Sequence, residues 1–168
     1  RLWFNLPMEH KTDLTQTCDP FVISTIFLAM SNSRKLLVHG LVSASLLRNL
    51  EEFQAVWINW KPQRYSKIEI LAKDETEMSW YRTDRSIMAF SGGLDSCFTV
   101  YRHKMNDCGR QRCNIEAGIF VHGFDIPLQN EESFRLAKEK ARRILDSIGI
   151  KIIPIKTNFR QMNIDWED

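Results

Sequence analysis

The sequence has no apolar run that approaches the roughly 20 residues needed to cross a bilayer. Its longest apolar segment runs from Phe21 to Met30 and is interrupted by Ser24 and Thr25. The N-terminal residues also lack a basic segment followed by an apolar core, the pattern of a secretory signal. These absences argue against membrane insertion and secretion, and they predict a cytoplasmic protein.

Cysteine is scarce, and the cysteines are not arranged in closely spaced pairs. The four cysteines, Cys18, Cys97, Cys108 and Cys113, contain no CxxC pair. Disulfide frameworks are typical of much smaller secreted chains, so the reducing cytoplasm is the expected compartment. Cys108 and Cys113 could supply half of a zinc site, but no second pair of ligands is evident.

The chain also lacks a strong charge of either sign, with a formal net charge of +2 over 168 residues. Such a balance leaves RNA open as a partner without indicating it. Hydrophobic residues make up 43% and charged residues 26% of the chain, which is typical of a folded globular domain. The composition therefore excludes general disorder and leaves the function to the motifs.

Residues 1–82 are predicted to form a small α/β module. A helix is expected from Asp19-Pro20, a strand at 36–38 that Gly40 ends, and a second helix capped by Ser43 or Ser45. A second strand is expected over 67–72, with the polar segment 74–77 ending it before a boundary near Arg82. No motif decides whether this module contributes substrate specificity or contacts in a homo-oligomer.

Residues 83–168 alternate between strand and helix patterns. Strands are predicted at 87–90, 117–121 and 151–155, with helices at 95–105 and 134–148, the latter ended by Gly149. Such alternation is typical of parallel strands joined by right-handed crossovers. The predicted fold class is therefore α/β, a Rossmann-like parallel sheet with helices on both faces.

The six residues Ser91-Gly92-Gly93-Leu94-Asp95-Ser96 follow the first of these strands and open a helix. Adjacent glycines allow unusual backbone conformations and let a phosphate approach the main-chain N–H groups, while the helix adds its positive N-terminus. The serine hydroxyls are further donors, and Asp95 can cap the helix or hold a magnesium ion. The segment therefore predicts a phosphate-binding loop at the carboxyl end of the sheet, where open α/β sheets bind ligands.

An alternative interpretation is a tight glycine turn without a ligand, since Gly-Gly and Asp-Ser pairs occur in many connections. The position between a buried strand and a helix favours nucleotide binding. The loop is not of the Walker A type, because GxxxxGK[ST] is absent, and it is not a GxGxxG dinucleotide fingerprint.

The same six residues match the SGGxDS signature, and in this the chain resembles the PP-loop ATP pyrophosphatases. That group includes asparagine synthetase, GMP synthetase, NAD synthetase, argininosuccinate synthetase and several tRNA-modifying enzymes. The resemblance implies an adenine nucleotide α-hydrolase-like fold that binds Mg-ATP, transfers AMP to an acceptor and releases pyrophosphate. It also implies that Ser91 to Ser96 hold the pyrophosphate portion and that Asp95 binds magnesium.

The resemblance extends from about Ser86 to Asn158 and implies that the end of the second strand contacts the adenine. The matching residues here are Val121, His122, Gly123 and Asp125. A turn that ends the strand explains the same residues without a ligand. The later strands of the family fold are expected beyond Asp168.

Lys156 and Arg160 follow the third strand at the same predicted edge. With Asp95 they are candidate catalytic residues, because cations there would neutralise charge on the leaving pyrophosphate. A solvated surface charge is the commoner explanation for any single lysine or arginine. The function expected from the sequence is an adenylating ligase or synthetase acting on an unidentified acceptor, and the alternative is a nucleotide-binding regulatory protein without turnover.

Overall fold

A computed structural model describes residues 1–77 and 84–162, which divide into two compact units. One unit contains residues 13–77, and the other combines residues 1–12 with 84–162. The boundary predicted near Arg82 lies outside the described residues. The sequence grouped residues 1–82 together, whereas the first twelve residues pack with the unit that carries the glycine loop.

The regular elements of the described residues, in chain order, are β1 (Phe4–Asn5), α1 (Asp19–Ser31), β2 (Leu36–Ser43), α2 (Ala44–Trp60), β3 (Ile70–Thr76), β4 (Arg85–Ala89), α3 (Leu94–Lys104), β5 (Asn114–His122), α4 (Glu131–Ser147) and β6 (Lys151–Thr157). Short 3-10 turns occur at Met8–Asp13, Gly109–Gln111 and Phe159–Gln161.

The smaller unit buries one side of α1 and α2 against a parallel pair of strands, β2 and β3. Val22, Ile26 and Met30 recur at helical spacing on α1 and are almost completely buried. They form a core with Val42, Leu50 and Ile68. The apolar segment of the sequence is thus a core helix, and no helix in the described ranges has the length and apolar character to cross a membrane.

Two strand ends in this unit differ from the sequence prediction. Gly40 does not end β2, which continues to Ser43 through an irregularity in register between Val38 and Leu41. Glycine is required there because a Cβ would lie 2.6 Å from the sulfur of Cys18. The polar segment 74–77 does not end β3 either, since β3 reaches Thr76 and its acidic side chains are exposed.

The larger unit is built on an open, mixed sheet of order β1-β6-β5-β4. The predicted parallel pairing is confirmed for β4 with β5 and for β5 with β6. The short strand β1 adds an antiparallel edge that the sequence did not predict. The described chain is therefore α/β with a mostly parallel sheet.

Helix α4 packs on the face of β5 that carries Gly118 and Phe120. A Cβ on Gly118 would lie 2.8 Å from Cδ1 of Leu145, so the close approach of helix and strand requires glycine. Phe120 stacks on Phe134 of α4 with ring centroids 5.3 Å apart. This packing fixes the helix that follows the carboxyl end of β5.

The contact between Asp19 at the start of α1 and Ser43 at the end of β2 gives the first testable prediction. The carboxylate of Asp19 accepts hydrogen bonds from the N–H of Ser43 at 2.9 Å and from its hydroxyl at 2.6 Å, and Ser43 is 1% exposed. Asp19→Ala leaves both buried donors unpaired, so the free energy of unfolding should fall by about 1–3 kcal/mol. Urea unfolding followed by tryptophan fluorescence measures the change.

The matched control is Glu52→Ala, which removes an exposed carboxylate from α2. Its unfolding midpoint should stay close to that of the wild-type protein. Equal midpoints for the two variants would contradict the role assigned to Asp19.

Candidate phosphate-binding site at the carboxyl edge of the sheet

The glycine loop leaves the sheet directly from the end of β4. The N–H of Phe90 donates to the carbonyl of Ile119 at 2.8 Å, and Phe90 is 2% exposed, so the strand is anchored up to the residue before Ser91. Helix α3 begins at Leu94, only four residues later. The loop therefore lies at the carboxyl end of β4, as the sequence predicted.

The backbone of the loop is open toward its outer side. Gly92 has a φ of +78°, which favours glycine, and nothing lies within 4 Å of where a Cβ would be. Gly93 occupies the N-cap position of α3 in an extended conformation and has no side chain to accept a capping hydrogen bond. The first N–H groups of α3 are therefore left for water or a ligand.

Three hydrogen bonds hold the loop in this shape. The N–H of Gly93 donates to Oγ of Ser91 at 3.2 Å, and Oγ of Ser96 donates to the carbonyl of Gly93 at 3.0 Å. The two hydroxyl oxygens are 3.2 Å apart, so the Ser91 hydroxyl can donate to that of Ser96. The hydroxyls are thus organised by the loop itself, and Ser91 to Asp95 are all exposed.

The carboxyl ends of β5 and β6 lie beside the loop in the order of the sheet. His122 at the end of β5 is in register with Lys156 near the end of β6, and β5 is the neighbour of β4. Val121 and His122 end β5, and Gly123 and Asp125 follow it. The topology thus brings every residue proposed from the sequence to one edge of one sheet.

His122 is buried at this edge and not displayed on the surface. It is 1% exposed, and its ring stacks nearly parallel on Phe134 with centroids 4.2 Å apart. Its Nε2 lies 3.0 Å from the carbonyl oxygen of Pro127. A ligand contact and a strand-ending turn were both compatible with the sequence around His122, and in the structure the buried ring contacts Phe134 and the carbonyl of Pro127.

Gly123 bends the chain sharply as it leaves β5. Its φ is +105°, and a Cβ there would lie 1.9 Å from the carbonyl oxygen of Thr157. The β5 exit therefore crosses the end of β6 at a distance that only glycine allows. This close approach is a packing reason for the glycine that spacing in the sequence does not reveal.

Both candidate cations have acidic neighbours. Lys156 is ion-paired with Glu131 in the first turn of α4. A hydrogen bond from Lys156 is the main cause that holds the pKa of the exposed Glu131 carboxyl below its usual value. Arg160 lies 3.8 Å from the carboxylate of Asp125, with its guanidinium 6.0 Å from the ring centroid of Phe124. The edge thus combines each cation with a carboxylate.

Pro127, Glu131 and Phe134 also take part in this edge. The sequence assigns Pro127 to a turn after the second strand and Phe134 to the apolar stripe of the helix at 134–148, but it predicts no role at the edge for either residue. Glu131 was not singled out, and its sequence signal is the helix start at Asn130-Glu131-Glu132, where acidic residues are favoured by the helix dipole. Their contacts with β5 and β6 depend on the fold of the chain and not on spacing.

No cluster of three or more His, Cys, Asp or Glu side chains that could hold a metal occurs within the described ranges, and Cys108 and Cys113 are free thiols. Asp95 is nevertheless exposed in the first turn of α3, beside the open N–H groups. Magnesium bound with a nucleotide commonly takes one or two carboxylates and completes its shell with phosphate oxygens and water. The residues present therefore fit a magnesium ion that arrives with a phosphate ligand.

Comparison with known proteins adds no identification: no family model, curated protein or solved structure matches this chain.

The close approach of Gly123 to Thr157 gives a testable prediction. Gly123→Ala places a methyl group against the carbonyl of Thr157 in a backbone conformation that alanine rarely adopts, so the free energy of unfolding should fall by more than about 3 kcal/mol. Thermal or urea unfolding of the full chain measures the loss.

Gly109→Ala is the matched control, because Gly109 also has a positive φ, +51°, but nothing lies within 4 Å of where its Cβ would be. Strain alone should cost about 1–2 kcal/mol there. Equal free energies of unfolding for the two variants would show that the close approach of Gly123 to the Thr157 carbonyl does not require glycine.

Proposed function

We propose that this chain carries a PP-loop ATP-binding domain of the adenine nucleotide α-hydrolase-like type, and that it belongs to an enzyme that cleaves ATP to AMP and pyrophosphate. The observation that carries the proposal is the loop Ser91 to Ser96, exposed over Ser91 to Asp95, at the carboxyl edge of a mostly parallel sheet. Its helix begins without a side-chain cap. The SGGxDS sequence of that loop supports the same assignment.

The loop matches the needs of a triphosphate. Phosphate oxygens are acceptors only, and the start of α3 offers main-chain donors together with the positive end of the helix dipole. Gly92 leaves space for a phosphate to approach the backbone. Ser91 and Ser96 add hydroxyl groups that the loop already holds near each other.

Asp95 would hold magnesium in this arrangement, because it is the exposed carboxylate of the first helical turn. ATP itself supplies an activated α-phosphate when bound. The residues of this chain contribute donors, positioning and charge, and these supply most of the acceleration in phosphoryl chemistry. A separate acid–base pair is therefore not required of the site.

Lys156 and Arg160 are the cations of the edge that the proposal assigns to the leaving pyrophosphate. Each would exchange its carboxylate neighbour, Glu131 or Asp125, for phosphate oxygens. Both pairs are exposed, and exposed ion pairs contribute little stability, so this exchange has a small cost.

The paired state of these cations also favours a second candidate function, a nucleotide-binding regulatory protein without turnover. With Lys156 and Arg160 neutralised, the loop would still bind a phosphate chain through its own donors. Calorimetry with Mg-ATP separates the two functions when it is combined with a pyrophosphate assay in the presence of candidate acceptors. Binding without release would support the regulatory protein.

The enzyme proposal predicts the behaviour of two loop variants. Asp95→Ala removes the proposed magnesium ligand, and Ser91→Ala removes a hydroxyl that also accepts the loop hydrogen bond from the N–H of Gly93, so each should abolish ATP-dependent pyrophosphate release. Calorimetric binding of Mg-ATP should weaken at least about tenfold in each, as expected for the loss of a charge-assisted contact.

Thr99→Ala is the control for both variants, because Thr99 is exposed on the same helix beyond the loop. It should bind and turn over like the wild-type protein. Unchanged pyrophosphate release in Asp95→Ala and Ser91→Ala together would sink the proposal.

A further inference from the structure

From one buried position at the end of β5, His122 contacts two parts of the larger unit, helix α4 and the connection that leads to it. Its ring stacks on Phe134 of α4, and its Nε2 lies 3.0 Å from the carbonyl of Pro127 in the connection to that helix. Its Nδ1 is 3.9 Å from the carboxylate of Glu131, too far for a hydrogen bond. A carbonyl oxygen only accepts, so the Nε2 must carry the proton of this bond.

Backbone hydrogen bonds beside that bond hold the connection 123–130 in a compact turn. The N–H of Gly123 donates to the carbonyl of Ile126 at 3.0 Å, and the N–H of Asn130 donates to the same Pro127 carbonyl at 2.9 Å. Asn130 then begins α4 by accepting from the N–H of Phe134 at 3.0 Å. The His122 ring therefore joins the strand, the turn and the helix through one carbonyl.

The turn 123–130 lies at the same edge of the sheet as the glycine loop, so the hydrogen bond between His122 and Pro127 affects the candidate site. Residues 123–130 leave β5 at the carboxyl edge, next to the strand that carries the glycine loop. Phe124 and Asp125 of the turn are exposed, whereas the His122 ring is 1% exposed. A ligand at the edge can therefore meet the turn without touching the ring.

We propose that His122 is a positioning residue of the nucleotide site, which holds the 123–130 turn beside the glycine loop through the hydrogen bond from Nε2 to the Pro127 carbonyl. The inference rests on the proposed function, since it assigns the turn as a wall of the Mg-ATP site. In this proposal His122 does not contact the nucleotide and acts on the site only through the turn.

Two substitutions distinguish the effect of the hydrogen bond on nucleotide binding from the effect of removing the ring. In His122→Gln the side-chain amide reaches the place of Nε2 and can still donate to Pro127, whereas in His122→Asn it reaches only the place of Nδ1. Calorimetry on the full chain should give a Kd for Mg-ATP about tenfold higher in His122→Asn, the effect of one lost buried hydrogen bond. His122→Gln should stay within about threefold of the wild-type Kd, as expected where the bond is kept.

His103→Gln is the matched control, because a glutamine amide at this position reaches the place of Nε2 and loses the hydrogen bond made at Nδ1. His103 holds a different connection, accepting at Nδ1 from the N–H of Cys113 at 3.0 Å, ahead of the amino end of β5. Its substitution should leave the Kd for Mg-ATP unchanged. A Kd equal to wild type in His122→Asn, or equal Kd values in the Asn and Gln variants, would overturn the positioning role.

Nitrogen-15 NMR of the histidine ring tests the same claim in the unmodified protein, independently of whether the variants fold. The expected spectrum has the proton on Nε2 of His122, and a neutral ring protonated at Nδ1 instead would overturn the assignment. Failure of the proposed nucleotide site gives a different result, because the wild-type chain itself would then bind no Mg-ATP, whereas a lack of turnover alone would leave these Kd values measurable.

Discussion

The candidate site depends on the unsatisfied main-chain donors at the start of α3. A helix always leaves its first N–H groups without partners inside the helix, and a Ser, Thr, Asp or Asn side chain at the N-cap commonly accepts from one of them. Here the N-cap is Gly93, which has no side chain, and the preceding Gly92 leaves the outer side open. The donors therefore remain exposed to whatever acceptor approaches the edge of the sheet.

Parallel pairing explains why the other candidate residues lie near those donors. Strands β4, β5 and β6 run in the same direction, so their carboxyl ends share one edge. The short β1 pairs with β6 and is tied there by side chains at the strand end: the Thr157 hydroxyl donates to the Trp3 carbonyl at 2.8 Å, and Asn158 accepts from the Trp3 N–H at 2.9 Å. The N-terminal residues thus pair with the exposed side of β6, which is otherwise an open edge.

The elements that local pattern determines were predictable from the sequence. Apolar runs marked β4, β5 and β6, the helical stripe marked α4, and Gly149, with a φ of +69°, ends that helix region as expected. The parallel pairing followed from the alternation of strand and helix. The glycine loop was placed correctly because its flanking strand and helix are both local features.

The contacts that were not predictable join residues far apart in the chain. Trp3 meets Asn158 across 155 positions, and Lys156 meets Glu131 across 25. Spacing in the sequence carries no signal for such pairs. The burial of His122 has the same origin, because the ring is covered only when α4 folds back and places Phe134 over it.

The most direct test of the central claim is a titration of the nitrogen-15-labelled chain with Mg-ATP, followed through the backbone amide signals. The largest shifts are expected on Gly92, Gly93 and the first turn of α3, because the N–H groups of this segment would donate hydrogen bonds to the phosphate oxygens. Saturable shifts that leave these amides unmoved and appear elsewhere, or no shifts at all, would contradict the claim.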